Sequence, residues 1–116
     1  GAKNNIKVNS ISPVAATRMT EDIFPEAAMA MFAPELVAPA SLYLVSDDAP
    51  SSTILGAGAG AVHAANVTMT RGVKLGDDER NPEGVAARFG EITDRSGESV
   101  PQSGAEQSMN IMTVLN

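Results

Sequence analysis

The chain has 116 residues, 14 acidic against 8 basic side chains, a net charge of −6 at pH 7, 43% hydrophobic and 3% aromatic residues, and neither Cys nor Trp. That length makes one small domain, its core drawn from Ala, Val, Leu, Ile and Met around Phe24, Phe32, Phe89 and Tyr43. The lack of a basic cluster argues against a nucleic-acid or anionic-membrane partner, the lack of Cys removes disulfides, thiolate nucleophiles and Cys-ligated zinc, and no apolar run reaches the roughly 18–20 residues of a membrane span.

In chain order, Ile6-Lys7-Val8-Asn9-Ser10-Ile11 alternates apolar and polar residues with β-branched side chains, which predicts a strand that Ser12-Pro13 breaks. Thr20 is placed to cap a helix from Glu21 to about Phe32, with Ile23, Ala27, Ala28, Met31 and Phe32 on its apolar face and Pro25 interrupting it early. Pro34-Glu35 opens a second helix, whose buried side is Leu36, Val37, Ala40, Leu44 and Val45; Pro39 bends it or delays its start. Thr53 to Gly58 is short, apolar and bounded by turn residues, and reads as a buried strand parallel to the first, joined to it by a right-handed crossover. Ala65 to Leu75 has room for one or two short strands. Asn81-Pro82-Glu83 is a helix start, with Val85, Ala86, Phe89 and Ile92 as the stripe. Ser96 to Gly104 is a loop, and Ser103-Gly104-Ala105-Glu106 has the spacing of a capping box before a final helix carrying Met109, Met112, Val114 and Leu115. The methionines at helical positions predict core or subunit contacts. The chain begins Gly1-Ala2-Lys3 without a Met, and is expected to be cut from something longer or processed; the absence of Cys and of a signal pattern fits the cytoplasm.

These pieces fall in a known order. Asn5-Ile6-Lys7-Val8-Asn9-Ser10-Ile11-Ser12-Pro13 resembles the sixth strand of the short-chain dehydrogenase/reductase fold, where N-I-[KR]-V-N-x-I-x-P-G precedes a loop ending in Thr. Here that loop is Val14-Ala15-Ala16-Thr17-Arg18-Met19, with Val14 where the family more often has Gly. Pro34 to Asp48 resembles the family's helix before its last core strand, and Thr53 to Gly60 the seventh strand and its glycines. Gly58-Ala59-Gly60, Pro82-Glu83-Gly84-Val85, Pro101-Gln102-Ser103 and Met109 to Leu115 resemble the (3R)-hydroxyacyl-CoA dehydrogenase module of peroxisomal multifunctional β-oxidation enzymes and its bacterial relatives.

The resemblance implies an α/β fold: a partial doubly wound, Rossmann-type unit with two core strands and flanking helices over residues 1–60, and a helical C-terminal extension over 61–116, together one domain. It implies NAD(P) as the family's cofactor, with Pro13, Val14 and Thr17 as part of the nicotinamide wall. The family's T-G-x-x-x-G-x-G turn, which holds the pyrophosphate, and its Y-x-x-x-K acid/base pair are absent from these residues; the one Tyr, Tyr43, is followed four residues later by Asp47. No cofactor, no catalytic residue and no metal is therefore expected of the isolated chain, and no hydride transfer.

Other features have plainer readings. Gly56-Ala57-Gly58-Ala59-Gly60 lacks the G-x-G-x-x-G spacing and reads as a strand end that turns. His63, the only His, is a suspect for an acquired hydrolytic site if a carboxylate lies near; Asp47, Asp48, Asp77, Asp78 and Glu79 are partners by type alone and read as solvated turns. Ser12 and Thr17 have no base in reach of the sequence other than His63. A segment with an open sheet edge and uncovered faces is expected to pair with itself, so a homo-oligomer is expected. Three functions follow: a dehydrogenase segment, a self-associating fragment without catalytic duty, and an oligomer with hydrolytic activity at a new inter-subunit cleft.

Overall fold

The protein is described by a computed structural model that covers residues 1–116. It divides into two compact units, Gly1–Asn66 and Val67–Asn116.

The first unit is a mixed sheet with short helices. Strand β1 (Ser10–Pro13) pairs in parallel with β2 (Ile54–Gly58), and β2 pairs antiparallel with β3 (Ala61–Ala65), in the order β1-β2-β3. The parallel pair is the one the sequence predicts, with Ser10 opposite Ile54 and Pro13 opposite Ala57. The third strand is an addition to the two expected. It moves the division between the units past Gly60, because Ala61–Ala65 returns along β2.

β1 lies four residues later than the alternation of Ile6 to Ile11 implies. Residues before Ser10 make isolated bonds instead of a ladder: Ser52 N–H donates to Val8 O at 2.8 Å, and Val8 N–H donates to Ser51 Oγ at 3.2 Å. Asn9 staples the layers together. Its Nδ2 donates to Leu44 O at 3.3 Å and Pro50 O at 2.7 Å, and its Oδ1 accepts from Thr53 N–H at 3.0 Å. Pro13 is the last strand residue and not a break before the strand's end. Ser10 and Val14 both donate backbone N–H groups towards β2, so alternation puts the missing N–H of Pro13 on the open edge, where it costs no ladder bond.

Between the parallel strands run α1 (Glu26–Met29), a 3-10 turn over Pro34–Val37 and α2 (Ala38–Leu44). The helix expected from Glu21 starts only at Glu26. Pro25 has no N–H to bond back one turn, so Thr20 to Phe24 stay in turns and Pro25 becomes the residue before the helix. In α2, Pro39 sits in the tolerated first turn. The buried apolar residues of the chain are Ala40, Leu44, Ala49 and Ala57, all in this unit. The core is narrower than the sequence predicts. Phe24 and Phe32 stack on each other at 4.8 Å, but Tyr43, Phe89, Leu36 and Val45 are exposed. One layer on a three-stranded sheet leaves Tyr43, Leu36 and Val45 nothing to pack against.

The second unit has three helices: α3 (Pro82–Ala87), α4 (Phe89–Ile92) and α5 (Gly104–Leu115). Asn81 caps α3 as predicted, its Oδ1 accepting from Gly84 N–H at 2.8 Å. Gly84 allows close approach of a preceding turn: a Cβ there would lie 2.1 Å from the backbone oxygen of Glu79. The predicted strands at 65–75 reduce to one antiparallel bridge, Met69 with Ser99. The capping box at Ser103 does not form. The carboxylate of Glu106 accepts instead from Gln102 N–H at 3.0 Å, and the Ser103 side chain makes no cap bond. Met109 and Met112 are exposed, not core. No helix is long and apolar enough to cross a membrane.

Candidate functional site

The chain leaves β1 at Pro13 and immediately meets β2. Val14 N–H donates to Ala57 O at 2.8 Å, and Val14 lies against Gly58, where a Cβ would be 2.6 Å from Val14 O and 3.0 Å from Val14 Cβ. Only a residue without a side chain at position 58 lets the Val14 loop sit this close to the strand end. Beyond Val14 the chain forms a turn fastened by one hydroxyl. Thr20 Oγ1 accepts from Thr17 N–H at 2.8 Å and lies 2.9 Å from Ala15 O, to which it donates. Ala16 N–H donates to Phe32 O at 2.8 Å, tying the loop to the chain after α1.

This folding brings the three residues singled out in the sequence to one place. Pro13, Val14 and Thr17 line a cleft of about 420 Å³ together with Thr20, Ile23 and Phe24. Its lining is apolar apart from the two threonines and holds no charged side chain. Thr17 Oγ1 accepts a long bond from Met19 N–H, 3.3 Å, and its own proton is left to donate. Thr20, Ile23 and Phe24 are cleft residues that the sequence does not single out. Thr20 before two acidic residues reads as a helix cap; the T-x-x-T spacing of Thr17 and Thr20 is the signal for a side-chain turn instead.

A flat ring with an amide substituent fits this lining, since Pro13, Val14 and Ile23 offer apolar contact and Thr17 a donor. A pyrophosphate does not, because the cleft offers no cation and no run of free backbone N–H groups at the N-terminus of a long helix.

His63 stands apart, exposed on β3, with its ring over Gly56, where a Cβ would come within 2.2 Å of it. No carboxylate forms an ion pair with it. No group of three His, Asp or Glu side chains is arranged to hold a metal ion. Asp77 is engaged by Arg80 at 2.8 Å, and Glu79 by Arg88 at 3.3 Å. Asp47 takes part through its backbone oxygen, which accepts from Lys7 Nζ.

The carboxyl groups that depart from ordinary behaviour all lie in the second unit. The side-chain hydrogen bond from Arg88 lowers the pKa of Glu91, that from Arg95 lowers Glu98, and that from Ser96 lowers Asp94. Two of these are surface ion pairs and the third a turn closed by the Ser96 hydroxyl, local contacts of the fold rather than a reactive cluster.

No family model matches the chain. It is 39% identical over 101 residues to a short-chain type dehydrogenase/reductase of Mycobacterium tuberculosis, covering 86% of this chain and 35% of that protein. It is 34% identical over 119 residues to the peroxisomal multifunctional enzyme type 2 of Mus musculus, covering 100% of this chain and 16% of that one. The solved structure of full-length peroxisomal multifunctional enzyme type 2 from Drosophila melanogaster superposes with a TM-score of 0.80 at 27% identity, over 99% of this chain and 21% of the other. The chain thus spans about a third or less of the length of these relatives.

Proposed function

We infer, from the premise that this chain is related to the short-chain dehydrogenase/reductases, that it supplies one wall of a nicotinamide site in an NAD(P)-dependent dehydrogenase of 3-hydroxyacyl-CoA-like substrates. The observation that carries this reading is the convergence of Pro13, Val14 and Thr17 on one apolar cleft, in a loop fastened by Thr20. Pro13, Val14 and Ile23 would meet a ring face, and the Thr17 hydroxyl would donate to the carboxamide oxygen. When bound, the nicotinamide accepts or gives the hydride. The residues of this chain orient it and keep water from one face.

Hydride transfer is not assigned to the 116 residues by themselves, because they contain neither the Gly-rich pyrophosphate turn nor Y-x-x-x-K. A graft tests the reading. This chain replaces the matched segment of the mycobacterial relative, circular dichroism establishes that the chimera folds, and NADH binding is followed by fluorescence. We expect binding, weakened about tenfold by Thr17→Val through loss of a buried hydrogen bond. A folded chimera whose NADH affinity is indifferent to Thr17→Val and Val14→Lys would overturn it.

Self-association belongs to the same reading. The outer edges of β1 and β3 are open, and Ile6, Val8, Leu42 and Val45 are exposed. A homo-oligomer would cover them, and native mass spectrometry of the chain reads its order directly. We place the chain in the cytoplasm; the peroxisome in the names of two relatives is the competing address, and cell fractionation separates the two.

A further inference from the structure

A second cleft lies wholly within the second unit, of about 260 Å³, between the extended segment Met69–Lys74 and one side of α5. The segment is held in place at both ends. Met69 and Ser99 exchange backbone hydrogen bonds of 2.9 and 3.0 Å, and Thr70 Oγ1 donates to Ile92 O at 2.7 Å. At the far end Lys74 Nζ donates to Leu115 O at 3.3 Å. The wall is apolar, from Met69, Val73, Ile111, Val114 and Leu115, with the amides of Gln107 and Asn110 beside it.

The charge pattern around this cleft is selective. The unit carries five basic residues, Arg71, Lys74, Arg80, Arg88 and Arg95. Arg80, Arg88 and Arg95 are each paired with a carboxylate, at 2.6 to 3.3 Å. Arg71 and Lys74 are in no ion pair, both line the cleft, and no Asp or Glu lines it with them. Within this unit the two cations without carboxylate partners thus sit on the same apolar cleft. Long basic stems do cover apolar surface with their heads in water. Here the Lys74 head is instead held at the last carbonyls of α5, and Arg71 has its guanidinium fork uncommitted.

We propose that this cleft binds a small amphipathic anion, an aliphatic carboxylate of medium chain length. Its carboxylate is taken by Arg71, whose fork matches it in two parallel bonds, with Lys74 adding charge. Its tail lies along Val73, Ile111 and Val114. The volume falls just under the roughly 300–1,000 Å³ of sites for larger ligands, which sets the ligand's size as small. The proposal does not rest on the nicotinamide reading, since every lining residue belongs to Val67–Asn116.

The test is an NMR and calorimetric titration of the full 116-residue chain with butanoate, hexanoate, octanoate, octanol and octyl phosphate. We expect amide shifts over 69–74 and 107–115, with affinity rising about fourfold for each methylene the cleft buries. Octanol binds more weakly than octanoate. Arg71→Gln, at an exposed position that leaves the fold intact, weakens octanoate about tenfold and leaves octanol unchanged. Absence of binding overturns the proposal. So does binding that grows with chain length but ignores both the head group and Arg71→Gln, which would make the cleft a plain apolar surface. Tighter binding of octyl phosphate than of octanoate overturns the carboxylate assignment.

Discussion

The two units of this chain are held together by different forces. Gly1–Asn66 contains all four buried apolar residues, Ala40 and Leu44 on α2, Ala49 in the loop after it and Ala57 on β2. Val67–Asn116 has no buried residue; it holds every ion pair of the chain and every carboxyl group with a shifted pKa. One unit rests on apolar packing, which carries no charge for protonation or Debye screening to act on. The other rests on exposed charge pairs, caps and one close backbone approach, each of which contributes little and responds to solvent. The candidate nicotinamide loop belongs to the packed unit, where a fixed wall is available. The cleft proposed to take an anion belongs to the polar one, where Arg71 and Lys74 line it.

The largest effect expected is on the packed unit. Leu44→Ala removes the one large side chain among its buried residues and should cost about 2–3 kcal/mol, at the low end for Leu because the site is shallow. Urea unfolding followed at residues of β2 measures it; a loss under about 0.5 kcal/mol would mean that the core is not what holds this unit.

Next comes a substitution whose sign is unusual. Gly→Ala inside a helix commonly stabilises by up to about 1 kcal/mol. Gly84→Ala should instead destabilise by about 1–3 kcal/mol, because the added Cβ meets backbone atoms of Glu79 that cannot swing away. Thermal unfolding decides the sign.

The smallest effect separates the units by pH. Glu91 and Glu98 have folded pKa values below their ordinary 4.5, and Asp94 below its ordinary 3.8, each chiefly through a side-chain hydrogen bond. Their contribution is complete above those ordinary values. It is lost as pH falls through the lower folded ones, where the unfolded chain binds protons that the folded one does not. Amide exchange over 67–116 should therefore accelerate, relative to 1–66, as pH is lowered from 5 towards 3, about as far as exposed pairs allow. Equal acceleration in both units would remove the distinction.

What the sequence made legible was local and covalently close. Asn81 before Pro82 carries a cap in three adjacent residues, and the structure forms it. Pro34 and Pro39 opened helical turns because their fixed φ suits a first turn. Long-range partners were less legible. Ile6 and Val8 have the pattern of a strand, yet a strand exists only where a neighbour pairs with it, and these residues meet loop Ser51–Ser52 instead of a ladder. β3 was hidden for the opposite reason. Ala-Val-His-Ala-Ala has no polar alternation, and it is a strand because the tight turn at Ala59-Gly60, both at positive φ, folds it back on β2. Ser103 and Glu106 had the spacing of a box, but the Glu106 carboxylate found Gln102 N–H first. At the candidate site, Pro13, Val14 and Thr17 are singled out by resemblance, and the structure places them on one cleft. The hydroxyl of Thr20 that fastens their loop is not singled out, since a Thr before acidic residues reads equally as a helix cap.

The measurement closest to the central claim is an amide-resolved NMR titration of the chain with nicotinamide mononucleotide. Shifts concentrated over Val14–Phe24 are expected, weak in affinity because no pyrophosphate site accompanies them, and abolished by Thr20→Val while the β2 resonances stay in place. Shifts confined to β3 or to the second unit, or none at any concentration up to the ligand's solubility, would contradict it.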